Sequence, residues 1–189
     1  GLDNAVNQLS NVSSGRALLK SGIPTMGNIF AGNGYSTGIF GKWHMGSNYP
    51  YRPQDRGFEE SVWFPSSHIG SVSDFWGNDY FDDTYWHNGK KQKYEGYCTD
   101  IFFSESKRFI EESMDQGKPF FAYISTNTPH GPLYPKEEDY KVLEKLFDKS
   151  EFAGEKGLKS RLVKYLAMIR NIDSNIGDLT DFLNDKGVI

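Results

Sequence analysis

Two stretches carry side chains whose types and spacing could do chemistry. In GIFGKWHMG, residues 38–46, Lys42 and His44 stand two positions apart between Gly41 and Gly46. On a strand, residues i and i+2 share a face, so an ammonium and an imidazole project together there. If the strand belongs to an open α/β sheet, its C-terminal end is where ligands bind. A cation beside a titratable ring suits an anionic substrate or a developing oxyanion. The second stretch is STNTPHGPLYP, residues 125–135, in which Pro129 and Pro132 stiffen the backbone on both sides of His130. A rigidly presented imidazole can act as acid, base or oxyanion ligand. The alternative is plain: a surface Lys and His at a strand end, and a loop His.

Other candidates carry less. Asp82-Asp83, in NDYFDDTYWHNG, could ligate a hard cation such as Ca²⁺. Adjacent strand residues point apart, however, and the flanking Asn and Gly suit a turn. His68 and His87 could line a pocket or serve as hydrogen-bonded structural residues. Cys98 opens a helical pattern and reads as a buried structural thiol. One cysteine excludes a disulfide within these residues and a thiolate zinc cluster. The chain has neither a Gly-x-Ser-x-Gly elbow nor a Walker-type loop, so no nucleophile with an obvious base accompanies the histidines. Asn11-Val12-Ser13 matches a glycosylation acceptor.

The elements that must position these residues follow from hydrophobic period and turn chemistry. Residues 1–23 read as an irregular entry segment. Met26, Ile29 and Phe30 fall at helical spacing and Gly34 can close that helix in the left-handed conformation. YSTGIFGKW then reads as a strand. Residues 46–97 show almost no helical period; short hairpins are expected within them, with His87-Asn88-Gly89-Lys90 a type I′ turn. CTDIFFSESKRFIEESMDQGK reads as a helix stopped at Gly117, and PFFAYIST as a buried strand. Helix–strand thus occurs twice, which argues for an α/β fold with a parallel or mixed sheet. Leucines and isoleucines from Leu158 to Leu183 recur at spacings of three and four, a long amphipathic helix ending at Lys186-Gly187.

At 189 residues the chain is one domain's worth, with 37% hydrophobic and 24% charged residues. A net charge of −4 gives no support to nucleic-acid binding. No apolar run reaches the ~18 residues of a membrane span. Aromatic content is high at 15%, enough to fill a core and to line a sugar or aryl pocket.

GYSTGIFGKWHMG closely resembles a signature of the sulfatase family. PYRPQDRGFEE, NTPHGPLYP and RNIDSNIGDLTDFLNDKGVI resemble three later blocks of that family, in the same order over residues 24–189. The resemblance implies an alkaline-phosphatase-like α/β fold with a mixed, mostly parallel sheet flanked by helices. It implies hydrolysis of aryl or glycan sulfate esters by a formylglycine made from a Cys/Ser-x-Pro-x-Arg motif, beside a Ca²⁺ ion. Carried over by motif, Lys42 contacts the formylglycine and the sulfate oxygens, and His44 hydrogen-bonds the formylglycine. His130 contacts the sulfate near the leaving oxygen. The chain departs from the pattern in three places. It has no Cys/Ser-x-Pro-x-Arg motif, its NVSSGRALLKSG matching the segment just after that block, and no early Asp-Asp strand. The late Asp-Asn ligands would follow Ile189. Residues 1–189 are therefore expected to be one partial catalytic domain, without nucleophile or metal ligands, inactive alone. Its truncated edges would be prone to self-association, and its compartment would be periplasmic, secreted or lysosomal. Two rival readings stand beside this one: a phosphate or phosphonate ester hydrolase of the same superfamily, and a non-catalytic sulfated-glycan binding module.

Overall fold

STGIFGK, residues 36–42, is the strand on which the first unit is built. The computed structural model describes residues 22–189. These fall into two units, one ending at Asn127 and the other comprising Thr128–Ile189. The entry segment through residue 21, the glycosylation triplet and NVSSGRALLK lie outside the described residues.

In the first unit, α1 (Met26–Gly32) opens on a capping box: Thr25 Oγ1 accepts from Asn28 N–H at 3.2 Å and Thr25 N–H donates to Asn28 Oδ1 at 3.0 Å. β1 (Ser36–Lys42), β2 (Glu60–Phe64), β3 (Thr84–His87), β4 (Lys90–Lys93) and β5 (Phe120–Ser125) form one sheet in the order β4-β3-β2-β1-β5. β1 runs parallel to both β2 and β5, whereas β2–β3 and β3–β4 are antiparallel. The sheet is mixed, as the doubled helix–strand order implies. Asn88 and Gly89 take φ of 48° and 81°, the left-handed pair of a type I′ hairpin.

α2 (Cys98–Asp115) covers one face of this sheet. Phe102 and Phe109 meet Phe64, Tyr85 and Phe40 at ring separations of 5.0–6.1 Å. The other face holds Ile39, Trp43, Phe58 and Trp63 as a buried cluster, with Trp86 and Phe121 packed against it. α1 joins that layer through Phe30, which stacks on Phe121 at 4.2 Å. β2 lies inside residues 46–97, the stretch with almost no helical period; four of its five residues are buried, and a strand buried on both faces shows no alternation either. One expectation changed. β5, read as buried, is only half-buried, since it lies at one edge of the described sheet.

The second unit contains α3 (Glu137–Phe147) and α4 (Lys156–Asp185), which pack together. Phe147, Val163, Ala167 and Met168 are buried. Arg170 of α4 is ion-paired with Asp139 in the first turn of α3, and Lys159 with Asp148 at 2.6 Å. Gly187, at φ 70°, ends the long helix where the sequence places its stop.

Candidate active site

The backbone around Lys42 is clamped from both sides. Gly41 has φ of 119°, and a Cβ there would lie 2.0 Å from the Ser125 carbonyl oxygen, so only glycine lets β1 and β5 approach this closely. The Ser125 hydroxyl donates to the Lys42 carbonyl at 2.8 Å. On the other side, Trp43 N–H donates to the Phe64 carbonyl at 3.1 Å, and the Trp43 indole donates to the Tyr51 carbonyl at 2.8 Å. Trp43 is buried while Lys42 and His44 are half-buried, so burial alternates across the strand end. Burial pushes the Lys42 ammonium below its ordinary pKa of 10.5. An anion placed beside it would restore what the ammonium loses in hydration.

Register puts Lys42 opposite Phe64 and Gly41 opposite Ser125, so three parallel strands end along one line. Asn127, buried just past β5, accepts from Ile69 N–H at 3.0 Å and ties the β5 exit to the β2 exit. This is the carboxyl edge of a parallel segment, where α/β sheets place ligands.

His130 lies in the second unit and is exposed. Its Nδ1 is 2.5 Å from the Gly131 carbonyl oxygen. A carbonyl can only accept, so Nδ1 carries the hydrogen; Nε2 can then give up a proton only from the imidazolium form. Beside it, Pro129, Pro132, Leu158, Leu162 and Tyr165 line an apolar recess of 690 Å³ with Arg161 at its wall. Lys42 and His44 thus share one strand end, and His130 belongs to the other unit. Ser125 and Asn127, which hold the strand ends, were not legible as site residues: each acts on a partner 83 or 58 positions away.

The remaining candidates are structural. Asp83 is buried and accepts from Asp79 N–H at 2.8 Å, Tyr80 N–H at 3.0 Å and Tyr85 Oη–H at 3.0 Å; burial still holds its carboxyl above the usual range. Asp82 instead accepts from Gly96 N–H at 2.7 Å. The two carboxylates serve different turns. His87 sits between Glu60, 3.0 Å from Nε2, and the Tyr94 hydroxyl, 2.7 Å from Nδ1. Glu60 also accepts from Asn88 at 2.7 Å and is ion-paired with Arg108. Burial alone would raise the Glu60 pKa, but the hydrogen bonds from His87, Asn88 and Arg108 override it and hold it at about 2. His68 Nδ1 is 2.9 Å from the Ser67 hydroxyl. Cys98 is fully buried and burial pushes its thiol up, an inert structural position.

Neither acidic group fits Ca²⁺, which takes six to eight oxygen ligands. Asp82 and Asp83 diverge into backbone turns. Glu60, His87 and Glu105 converge, but Arg108 is paired to both glutamates and one ligand is a nitrogen.

A sequence model of the family described as Sulfatase matches residues 3–188. The N-acetylgalactosamine-6-sulfatase of Sus scrofa is 26% identical over 168 residues, 83% of this chain and 28% of that protein. The ulvan-active sulfatase of Formosa agariphila is 29% identical over 120 residues, 61% of this chain and 22% of that protein. The chain therefore spans under a third of the length of these relatives. Among solved structures, Ps i-CgsB in complex with k-i-k-neocarrahexaose superposes with a TM-score of 0.71 at 24% identity, over 90% of this chain and 40% of that one.

Proposed function

Because the chain belongs to the sulfatase family, we propose that it supplies the cationic wall of a site that hydrolyses the sulfate ester of a sugar. The observation that carries this reading is the placement of Lys42 and His44 at the carboxyl edge of the parallel strands, inside a family match that spans the chain. Lys42, partly desolvated, takes the sulfate oxygens. His44 holds and returns a proton at the nucleophile. His130 contacts the sulfate near the leaving oxygen and, as an imidazolium, protonates it. The sugar comes from the relatives, whose names include N-acetylgalactosamine-6-sulfatase and ulvan-active sulfatase. No Cys/Ser-x-Pro-x-Arg sequence occurs in these 189 residues, so they supply no formylglycine of that pattern.

Two measurements test this. The 189-residue polypeptide, mixed with an aryl sulfate and Ca²⁺, is expected to show only background turnover; turnover abolished by Lys42→Ala would overturn the assignment of the nucleophile elsewhere. Titration of the same polypeptide with sodium sulfate, followed by NMR of the Lys42 and His44 side chains, is expected to saturate and to raise the Lys42 pKa. Shifts that survive unchanged in Lys42→Ala would remove Lys42 from the site.

A further inference from the structure

The apolar recess beside His130 lies wholly within the second unit. Its 690 Å³ fall in the range of small-molecule sites, ~300–1,000 Å³. Pro129 and Pro132 line it from the loop before α3, and Leu158, Leu162 and Tyr165 line it from α4. α4 already buries Val163, Ala167 and Met168. Leu158, Leu162 and Tyr165, at spacings of four and three, share a different face, on which Leu158 and Tyr165 remain 44% and 41% exposed. The helix therefore has a second apolar face, and that face is open at the recess.

Charge narrows the class. From Gly157 to Ile172, α4 carries Lys159, Arg161, Lys164 and Arg170 and no acidic residue; Asp173, Asp178, Asp181 and Asp185 follow in its second half. The macrodipole favours the reverse order, so helix stability does not account for a basic N-terminal half. Lys159 is engaged by Asp148 at 2.6 Å and Glu144 at 3.6 Å, and Arg170 by Asp139. Arg161 has no ion pair among the described residues, and it stands at the wall of a recess whose lining has no acidic group. An apolar hollow with one uncommitted guanidinium suits a ligand with an apolar body and one anionic end.

We propose that this recess binds a single-chain anionic amphiphile, in the simplest case a fatty carboxylate. The chain lies against Leu158, Leu162, Tyr165 and the two prolines, and the carboxylate pairs with the Arg161 guanidinium. The only polar side chains of the lining are Arg161 and Tyr165, too few for the hydroxyls of a sugar. The apolar side chains line a hollow, which admits one chain, whereas a bilayer is met by a protruding face. The proposal does not depend on the sulfate chemistry at Lys42, which belongs to the other unit.

The test titrates the protein by calorimetry with hexanoate, octanoate and decanoate below their micelle concentrations, with octanol, and separately with phosphatidylglycerol vesicles. Decanoate is expected to bind saturably and to shift the Tyr165 ring signals in NMR. Each added CH₂ should tighten binding about threefold. Arg161→Gln should weaken octanoate roughly tenfold and leave octanol within about twofold. Leu158→Ser, at an exposed position, should weaken octanoate and octanol alike, and thermal melts confirm that each variant is folded. The proposal is overturned if decanoate does not bind, if affinity is flat with chain length, or if Arg161→Gln weakens octanol as much as octanoate. Vesicles that bind while the free carboxylates do not would overturn it in favour of a lipid surface. Affinity that falls as protein concentration rises would put a second copy in the recess instead. Failure of the sodium sulfate titration with the chain-length series intact would leave this site standing and remove the reading of Lys42.

Discussion

A Cβ at position 41 would meet the Ser125 carbonyl oxygen at 2.0 Å, and the φ of 119° excludes an ordinary side chain besides. Gly41→Ala should therefore destabilise the first unit by about 2–4 kcal/mol, measured as a lowered urea midpoint with unchanged slope. Ser125→Ala, which loses only its bond to the Lys42 carbonyl, should cost about 1 kcal/mol. A second prediction concerns pH. The hydrogen bond that His87 donates to Glu60 raises the His87 pKa above its ordinary 6.5, and Glu60 is held at about 2 against an ordinary 4.5. The raised histidine contributes stability that is complete below 6.5 and lost as pH rises through its folded value. The depressed glutamate contributes stability present above 4.5 and lost as pH falls through about 2. The stability difference between the parent and His87→Asn should therefore be greatest between those ordinary values and shrink on the alkaline side; a difference flat across pH counts against the pair. Lys42 and His44 were legible as a pair because strand alternation is a local rule. Ser125 and Asn127 were not, because their partners come from the other end of the unit.

The β3–β4 hairpin is tied to β2 at its tip. Asn88 Oδ1 accepts from Ser61 N–H at 2.8 Å, its Nδ2 donates to Glu60 at 2.7 Å, and its backbone N–H donates to the Ser61 carbonyl at 2.9 Å. Asn88→Ala loses the side-chain bonds and places alanine at positive φ, so it should cost about 2–3 kcal/mol. Asn88→Gly keeps the turn and loses only the side-chain bonds, and it should recover about 1 kcal/mol of that. Equal losses in the two variants, read from paired urea curves, would show that the turn conformation contributes nothing. The turn itself was legible from Asn-Gly alone. β2 was not, since a strand packed between α2 on one face and the aromatic cluster on the other has no polar face to reveal its period. The bounds of α3 within the helical last third were not legible for a related reason: its buried residues are Asp139 and Phe147, while the apolar Leu146 is exposed, so its hydrophobic pattern does not trace its packing.

The two edges of the described sheet differ in a way that bears on how whole molecules meet. β4 presents Lys90, Lys91 and Lys93, all exposed, and an edge rich in lysine repels a second edge like itself. β5 is FFAYIS, carries no charge, leaves Tyr123 44% exposed, and pairs only with β1 among the described residues. An uncharged, aromatic edge with no second strand partner among the described residues is a template for another strand. Association between copies of this polypeptide should accordingly grow with concentration and run through β5 rather than β4. Sedimentation velocity over a concentration series is expected to show a rising average mass. Tyr123→Lys, which gives β5 the same protection that β4 already has, should return the polypeptide to monomer without lowering its stability, read from urea curves, by more than about 1 kcal/mol. A parent that stays monomeric at the highest concentration, or a Tyr123→Lys variant that associates as strongly, would show that β5 is covered in solution by something other than a second copy.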